Sequence, residues 1–257
     1  MKTSSEQEQN FIHRLVPVLG VDVTPGSATQ IVNWLSSSSG KRRLLNHNLH
    51  SVYLSYTNSD FKRSFQSADV VLIDGFPLTL LMRLGGRKDK ERSVPRVGSC
   101  DWIIELEDAQ PSKIKKIAII GASPASNLAL QERFSRTMPK VLVRGWDGYE
   151  GLTKLIISEF EELSQFRPDL VLLGLGMPKQ EIILDTYYGL LPESVYATVG
   201  GAIDQLSGFQ KMPPRFLGDL GLEWLFRLVR DPRRLFFRYL VEPIFLAVLV
   251  ARRGKSR

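Results

Sequence analysis

Apolar residues in this chain gather into short runs without polar alternation. They are Leu44-Leu45, Val70-Val71-Leu72-Ile73, Ile117-Ala118-Ile119-Ile120, Val141-Leu142-Val143, Leu170-Val171-Leu172-Leu173 and Val195 to Val199. Runs of this kind predict strands buried on both faces, as in a parallel sheet under helices. Longer segments between them predict helices over Ala28 to Leu35, 50–66 and 150–165, one starting near Ala125, and another opening at Pro178. A short edge element precedes the first helix, and Ser36 to Gly40 end that helix. Strands alternating with helices predict an α/β class, a Rossmann-like, mostly parallel sheet covered by helices on both faces. The charged, glycine-containing stretch from Gly85 to Pro95 predicts a mobile loop.

Open α/β sheets bind ligands beyond the carboxyl ends of their strands, so the candidate chemistry lies there. After Leu173, Gly174 and Gly176 permit a sharp turn and close backbone approach by a ligand, and Lys179, Gln180 and Glu181 follow. Asp74 ends another strand beside Gly75; it reads as a general base or as a turn-forming Asp-Gly pair. Asn46 and Asn48 end a neighbouring strand, suited to hydrogen-bonding a sugar or base, or simply to a turn. Asp204 follows Gly200-Gly201 and is either a site acid or an acid at a helix N-terminus. Gly121-Ala122-Ser123-Pro124 sits where a dinucleotide fingerprint would, but lacks its second and third glycines.

Composition narrows the classes. The chain has 257 residues, 43% of them hydrophobic, enough for a sizeable core. A single cysteine, Cys100, excludes an internal disulfide framework, and with His13, His47 and His50 it forms no zinc pattern. The polar N-terminus lacks a signal-peptide core, and no apolar segment approaches the roughly 20 residues that span a bilayer. These features predict a cytoplasmic chain. Its charge is concentrated: from Arg227 onward nine basic residues face only Asp231 and Glu242, which equals the net charge of +7 of the whole protein. Arg227, Arg230, Arg234 and Arg238 fall on one helical stripe, bent near Pro232, with Trp224, Phe226, Leu235, Phe236 and Phe237 among them. Basic and large apolar residues so mixed predict a helix lying in an anionic membrane interface. Packing on the core or at a homo-oligomer interface is the plainer reading. The stretch is too apolar for a nucleic-acid arm. There is no Asp-x-Asp pair to hold a cation against a diphosphate, so arginines are the natural substitute for metal.

Ordered motifs carry a family resemblance. They are Asp74-Gly75-Phe76-Pro77, Arg96 with Asp101, Gly145 to Tyr149, Pro168-Asp169 through Glu181, Val199 to Asp204, Ser207-Gly208, Gly221 to Leu228, and Asp231 to Arg234. Together, over about residues 15–240, they resemble the WecG/TagA/CpsF glycosyltransferase family. The resemblance implies an inverting, metal-independent enzyme without a cofactor at the inner face of the membrane. It would move a hexose or N-acetylhexosamine-type sugar (glucose, N-acetylmannosamine or its uronic acid) from a UDP donor to an undecaprenyl-diphosphate-linked saccharide. It further implies Asp74 as catalytic base and Asn48 as an active-site asparagine. Arg96, Gln180 and Asp204 would line the pocket, while Arg227, Arg234 and Arg238 would close over the diphosphate from a C-terminal appendage. The expected division is residues 1–217 as catalytic domain and 218–257 as membrane-associating appendage. The family's usual threonine before the asparagine is Asn46 here, and its Arg-Ala-Pro reads Lys211-Met212-Pro213. Rival readings are a nicotinamide-dependent oxidoreductase using the Gly121 loop, and a non-catalytic nucleotide-sugar-binding protein at the membrane.

Overall fold

A computed structural model describes residues 11–85, 95–213, 217 and 221–255. Most of the Gly85–Pro95 stretch, the first ten residues and the Gly218 boundary therefore lie outside the described residues. The edge element is a small antiparallel hairpin, β1 (Arg14–Val16) against β2 (Val21–Val23). The six sequence-predicted strands are β3 (Arg42–His47), β4 (Val70–Ile73), β5 (Lys116–Gly121), β6 (Leu142–Trp146), β7 (Leu170–Gly174) and β8 (Val195–Thr198). They form one parallel sheet in the order β4-β3-β8-β7-β5-β6.

Side chains alternate across this sheet, as the pleat requires. Leu44, Leu72, Ile117, Ile119, Leu170, Leu172 and Ala197 face one layer, helices Ala28–Ser37, Ser99–Ala109, Pro124–Thr137 and Ala202–Leu206. Leu45, Ala118, Ile120, Val171, Leu173 and Tyr196 face the other, which includes helices Glu150–Ile157, Glu161–Phe166 and Lys179–Tyr187. Val71 and Ile73 extend that second face under helix Leu49–Thr57.

The sequence expectation of one helix over 50–66 is corrected. Asn58 breaks it into Leu49–Thr57 and Ser59–Gln66, because its side chain accepts the Phe61 N–H and starts a new N-terminus. Likewise 150–165 divides at Glu159 and Phe160, both with positive φ. Helices Phe76–Gly85 and Ser99–Ala109 were not anticipated.

The chain ends in helix Glu223–Arg230, a restart at Pro232–Phe236 after the bend foreseen at Pro232, a π-helical turn Phe237–Val241, and helix Glu242–Lys255. Leu246 is buried with Val16, Val52, Leu78 and Met82, which fastens this segment to the body. No helix among the described residues is long and apolar enough to cross a membrane.

Candidate active site

The helix after β3 covers one face of the sheet and the helix after β8 covers the other, so a crevice opens between neighbouring carboxyl ends. A cavity of about 1030 Å³ occupies it. Its walls bring together Asn46, Asn48, Asp74, Arg96, Gly176, Gln180, Gly200, Gly201, Asp204, Arg227 and Arg238, which are far apart in sequence. Lys179 is exposed and Arg230 lies over the Phe226 ring; neither is part of this wall. The Arg234 side chain is outside the described residues.

A second such crevice, between β5 and β7, is closed. A Cβ on Gly121 would stand 2.3 Å from the Gly174 carbonyl oxygen, and the Ala122 N–H donates to that same oxygen at 3.0 Å. Gly148 N–H in turn donates to the Ala122 carbonyl at 2.9 Å. The Gly121 turn thus packs backbone on backbone where a nicotinamide nucleotide would need room.

Asp74 follows β4 directly, and its N–H donates to the His47 carbonyl at 2.8 Å, continuing the sheet ladder by one residue. Its carboxylate accepts no hydrogen bond from the described residues. The backbone of Gly98 presses on it: a Cβ there would come within 3.1 Å of Asp74 Oδ1. Burial raises the Asp74 pKa; Arg227 and Arg96 pull it back, while Glu223 and Asp101 push it further up. An acid so placed is a stronger base than one in water. Nearby Cys100 is pushed up to about 12, chiefly by burial and then by Asp74 and Asp101. Its thiol keeps its proton, donates to Gln205 Oε1 at 3.0 Å, and is no nucleophile here.

Across the cavity, Gln180 is 1% exposed and Glu181 is fully buried. Gln180 Nε2 donates to Glu181 Oε1 at 2.7 Å, and Gln180 Oε1 accepts the Gly200 N–H at 3.1 Å. Gln180 therefore ties the turn after β7 to the turn after β8. Gly176 and Gly200 both have positive φ, and nothing lies within 4 Å of where a Cβ would stand, so both turns leave open space for a ligand. Asn48 caps helix Leu49–Thr57 by accepting the Ser51 N–H at 3.0 Å, so its carbonyl serves the turn. Asn46 donates to Ser99 Oγ and to the Thr198 carbonyl, which leaves its Oδ1 buried and unpartnered. Asp204 sits in the first turn of helix Ala202–Leu206, with no side-chain partner among the described residues.

The C-terminal segment supplies the remaining wall. Arg96 and Glu223 pair through two contacts of 2.7 and 2.8 Å, clamping helix Glu223–Arg230 to the body. Burial alone would raise the Glu223 carboxyl, but the hydrogen bond and charge of Arg96 win and hold it low. Arg227 and Arg238 make no ion pair with any described residue, and each has a buried Nε–H without an acceptor. Burial lowers the Arg238 pKa, a sign of a cation short of counter-charge. Both arginines line the cavity, where a guanidinium can receive an anion. His50 Nδ1 meets Glu242 Oε2 at 2.6 Å, a second tie between body and tail.

Sequence reasoning missed Phe76, Thr79, Arg83, Glu223 and Tyr239, all in this wall. Phe76 and Glu223 lay within motifs already singled out; the others carry no local signal. No cluster of three metal-ligating side chains occurs among the described residues.

Fold and site together define a Rossmann-like α/β protein with a strand-end acid and two arginines, unpaired among the described residues, in the wall of one cavity. The model of the glycosyl transferase WecG/TagA/CpsF family matches residues 16–257, and the chain belongs to that family. The protein is similar to an N-acetylglucosaminyldiphosphoundecaprenol N-acetyl-beta-D-mannosaminyltransferase of Bacillus spizizenii, 29% identical over 178 residues, 69% of this chain. A protein of the same name from Bacillus subtilis is 29% identical over 176 residues, 68% of this chain. The match spans 66% of each relative's length, just under two thirds.

Proposed function

We propose that this protein is an inverting, metal-independent glycosyltransferase. It moves a hexose or N-acetylhexosamine-type sugar from a UDP donor to an undecaprenyl-diphosphate-linked saccharide in the synthesis of a cell-surface polysaccharide. The observation that carries this reading is that one cavity brings together Asp74 and the half-buried Arg227 and Arg238, none of which has an ion-pair partner among the described residues. The relatives' names, which specify a sugar transferred to a diphosphoundecaprenol acceptor, support the same substrate classes.

In this reading the UDP lies on the open turns at Gly176 and Gly200-Gly201. Asp74 takes the proton from the acceptor hydroxyl as that oxygen attacks the anomeric carbon, on the side opposite the leaving diphosphate. Such general-base help is worth about 10²–10⁴-fold. Arg227 and Arg238 stabilise the charge that develops on UDP. Gln180 and Asn46 hold the surrounding turns rather than react.

The exposed face of the C-terminal segment, with Val229, Phe236, Phe237, Ile244, Phe245 and Val248, suits a peripheral position on the cytoplasmic side of the membrane. Arg230, Arg233 and Arg252 add charge for anionic lipid. Residues 218–257 would then act as an appendage to a catalytic body formed by residues 1–217.

The test is transfer from a panel of UDP-sugars to an undecaprenyl-diphosphate-linked acceptor, with and without EDTA. Transfer from at least one donor, unaffected by EDTA, is expected. UDP-sugar binding without transfer would favour a non-catalytic role, and loss of transfer in EDTA would contradict the arginine mechanism.

A further inference from the structure

Helix Phe76–Gly85 begins two residues after Asp74 and carries three different faces. Leu78, Leu81 and Met82 pack into the core beside Leu246 and Val250 of the last helix. Phe76, Thr79 and Arg83, at helical spacing, line the catalytic cavity. Leu80 and Leu84, four residues apart, are exposed to solvent. Arg83 forms no ion pair with any described residue.

Resting on the transferase reading above, we propose that the cavity face of this helix is the subsite for the acceptor's diphosphate, with Arg83 its cation and Leu80 and Leu84 meeting the polyprenyl chain. Topology requires two sides to the base. The open glycine turns follow β7 and β8, near the middle of the sheet, whereas Asp74 ends β4, the edge strand. A nucleotide on those turns approaches Asp74 from the sheet centre. The acceptor must then reach the same carboxylate from the edge, where helix Phe76–Gly85 is the wall.

Dimensions agree. From Phe76 to Arg83 the helix rises about 10 Å, which places Arg83 from the base by one sugar ring and its first phosphate. Charge agrees too. Asp101, Glu105 and Asp108 of helix Ser99–Ala109 also line the cavity and would repel a diphosphate, which leaves the arginine side. The guanidinium offers a bidentate fork for phosphate oxygens, while the Thr79 hydroxyl donates to the Gly75 carbonyl at 3.3 Å and steadies the first turn of the helix. Arg227 and Arg238 remain for the donor, so each diphosphate has its own cation.

The experiment compares two acceptors with the full-length protein: an undecaprenyl-diphosphate-linked sugar and an alkyl glycoside of the same sugar without phosphate. Arg83→Ala should raise KM for the diphosphate acceptor by about tenfold or more, the loss of one charge-assisted bidentate contact. KM for the alkyl glycoside and the affinity for UDP should stay within about twofold of wild type, and Arg83→Lys should restore part of the loss. An active wild type whose Arg83→Ala variant keeps its KM for the diphosphate acceptor, or loses both acceptors equally, would overturn the subsite alone. A wild type inactive with both acceptors would overturn the transferase reading and the subsite with it.

Discussion

Glu181 is fully buried, yet it is an acid next to Gln180 in the wall of the cavity. Burial pushes its pKa up to about 7 from an ordinary 4.5, while the Gln180 amide partly offsets the rise. The unfolded chain gives up this proton near pH 4.5 and the folded protein only near 7. Between those values the native state binds more protons, so stability falls as pH rises, by about 3 kcal/mol in total. Glu181→Gln leaves an oxygen for Gln180 Nε2 to donate to and removes the titration. Denaturant unfolding at pH 5 and pH 8 should therefore show a flatter dependence in the variant than in the wild type; parallel slopes would sink this account. At this scale the sequence identified which strand-end residues face one another, because carboxyl ends of parallel strands share an edge. It did not reveal that Lys179 turns outward, or that Asn48 and Gln180 spend hydrogen bonds on turns, since helix phase and capping depend on neighbours far along the chain.

Among the elements, the clamp between the loop at Arg96 and helix Glu223–Arg230 fixes where Arg227 stands relative to Asp74. Arg96→Ala and Glu223→Ala should each weaken UDP binding, and the double variant should be little worse than either alone. For partners in a partly buried pair, a coupling of about 0.5–3 kcal/mol is expected. Additive losses in a titration of UDP affinity would mean that the clamp does not position the site. The strands were legible because uninterrupted apolar runs have few other destinations. The helices were less so: Asn58 is an ordinary polar residue until its side chain caps a new helix. Helix Phe76–Gly85 hides inside a leucine-rich run with no clear period, because it is buried on one face, lines a cavity on the second and is exposed on the third.

For the whole molecule, charge and chemistry are divided between regions. Residues 1–226 sum to no net charge and carry the strand-end acid, while the remaining stretch carries the +7 and most of the segment's exposed aromatic surface. The composition made this division visible before any fold did. It could not show that the same stretch also lines the cavity, since that depends on burial of Leu235 and Leu246 against the body. Removing residues 218–257 should leave a protein that fails to sediment with anionic vesicles and has almost no transferase turnover. A truncated protein as active as the full chain would show the arginines to be dispensable.

The central claim is that Asp74 acts on the acceptor while cations from the tail act on the donor. The most direct measurement is single-turnover sugar transfer by Asp74→Asn, with UDP affinity determined on the same preparation. The account predicts UDP binding within a few-fold of wild type and a transfer rate lower by about 10²–10⁴-fold. Near-full transfer by this variant would contradict it.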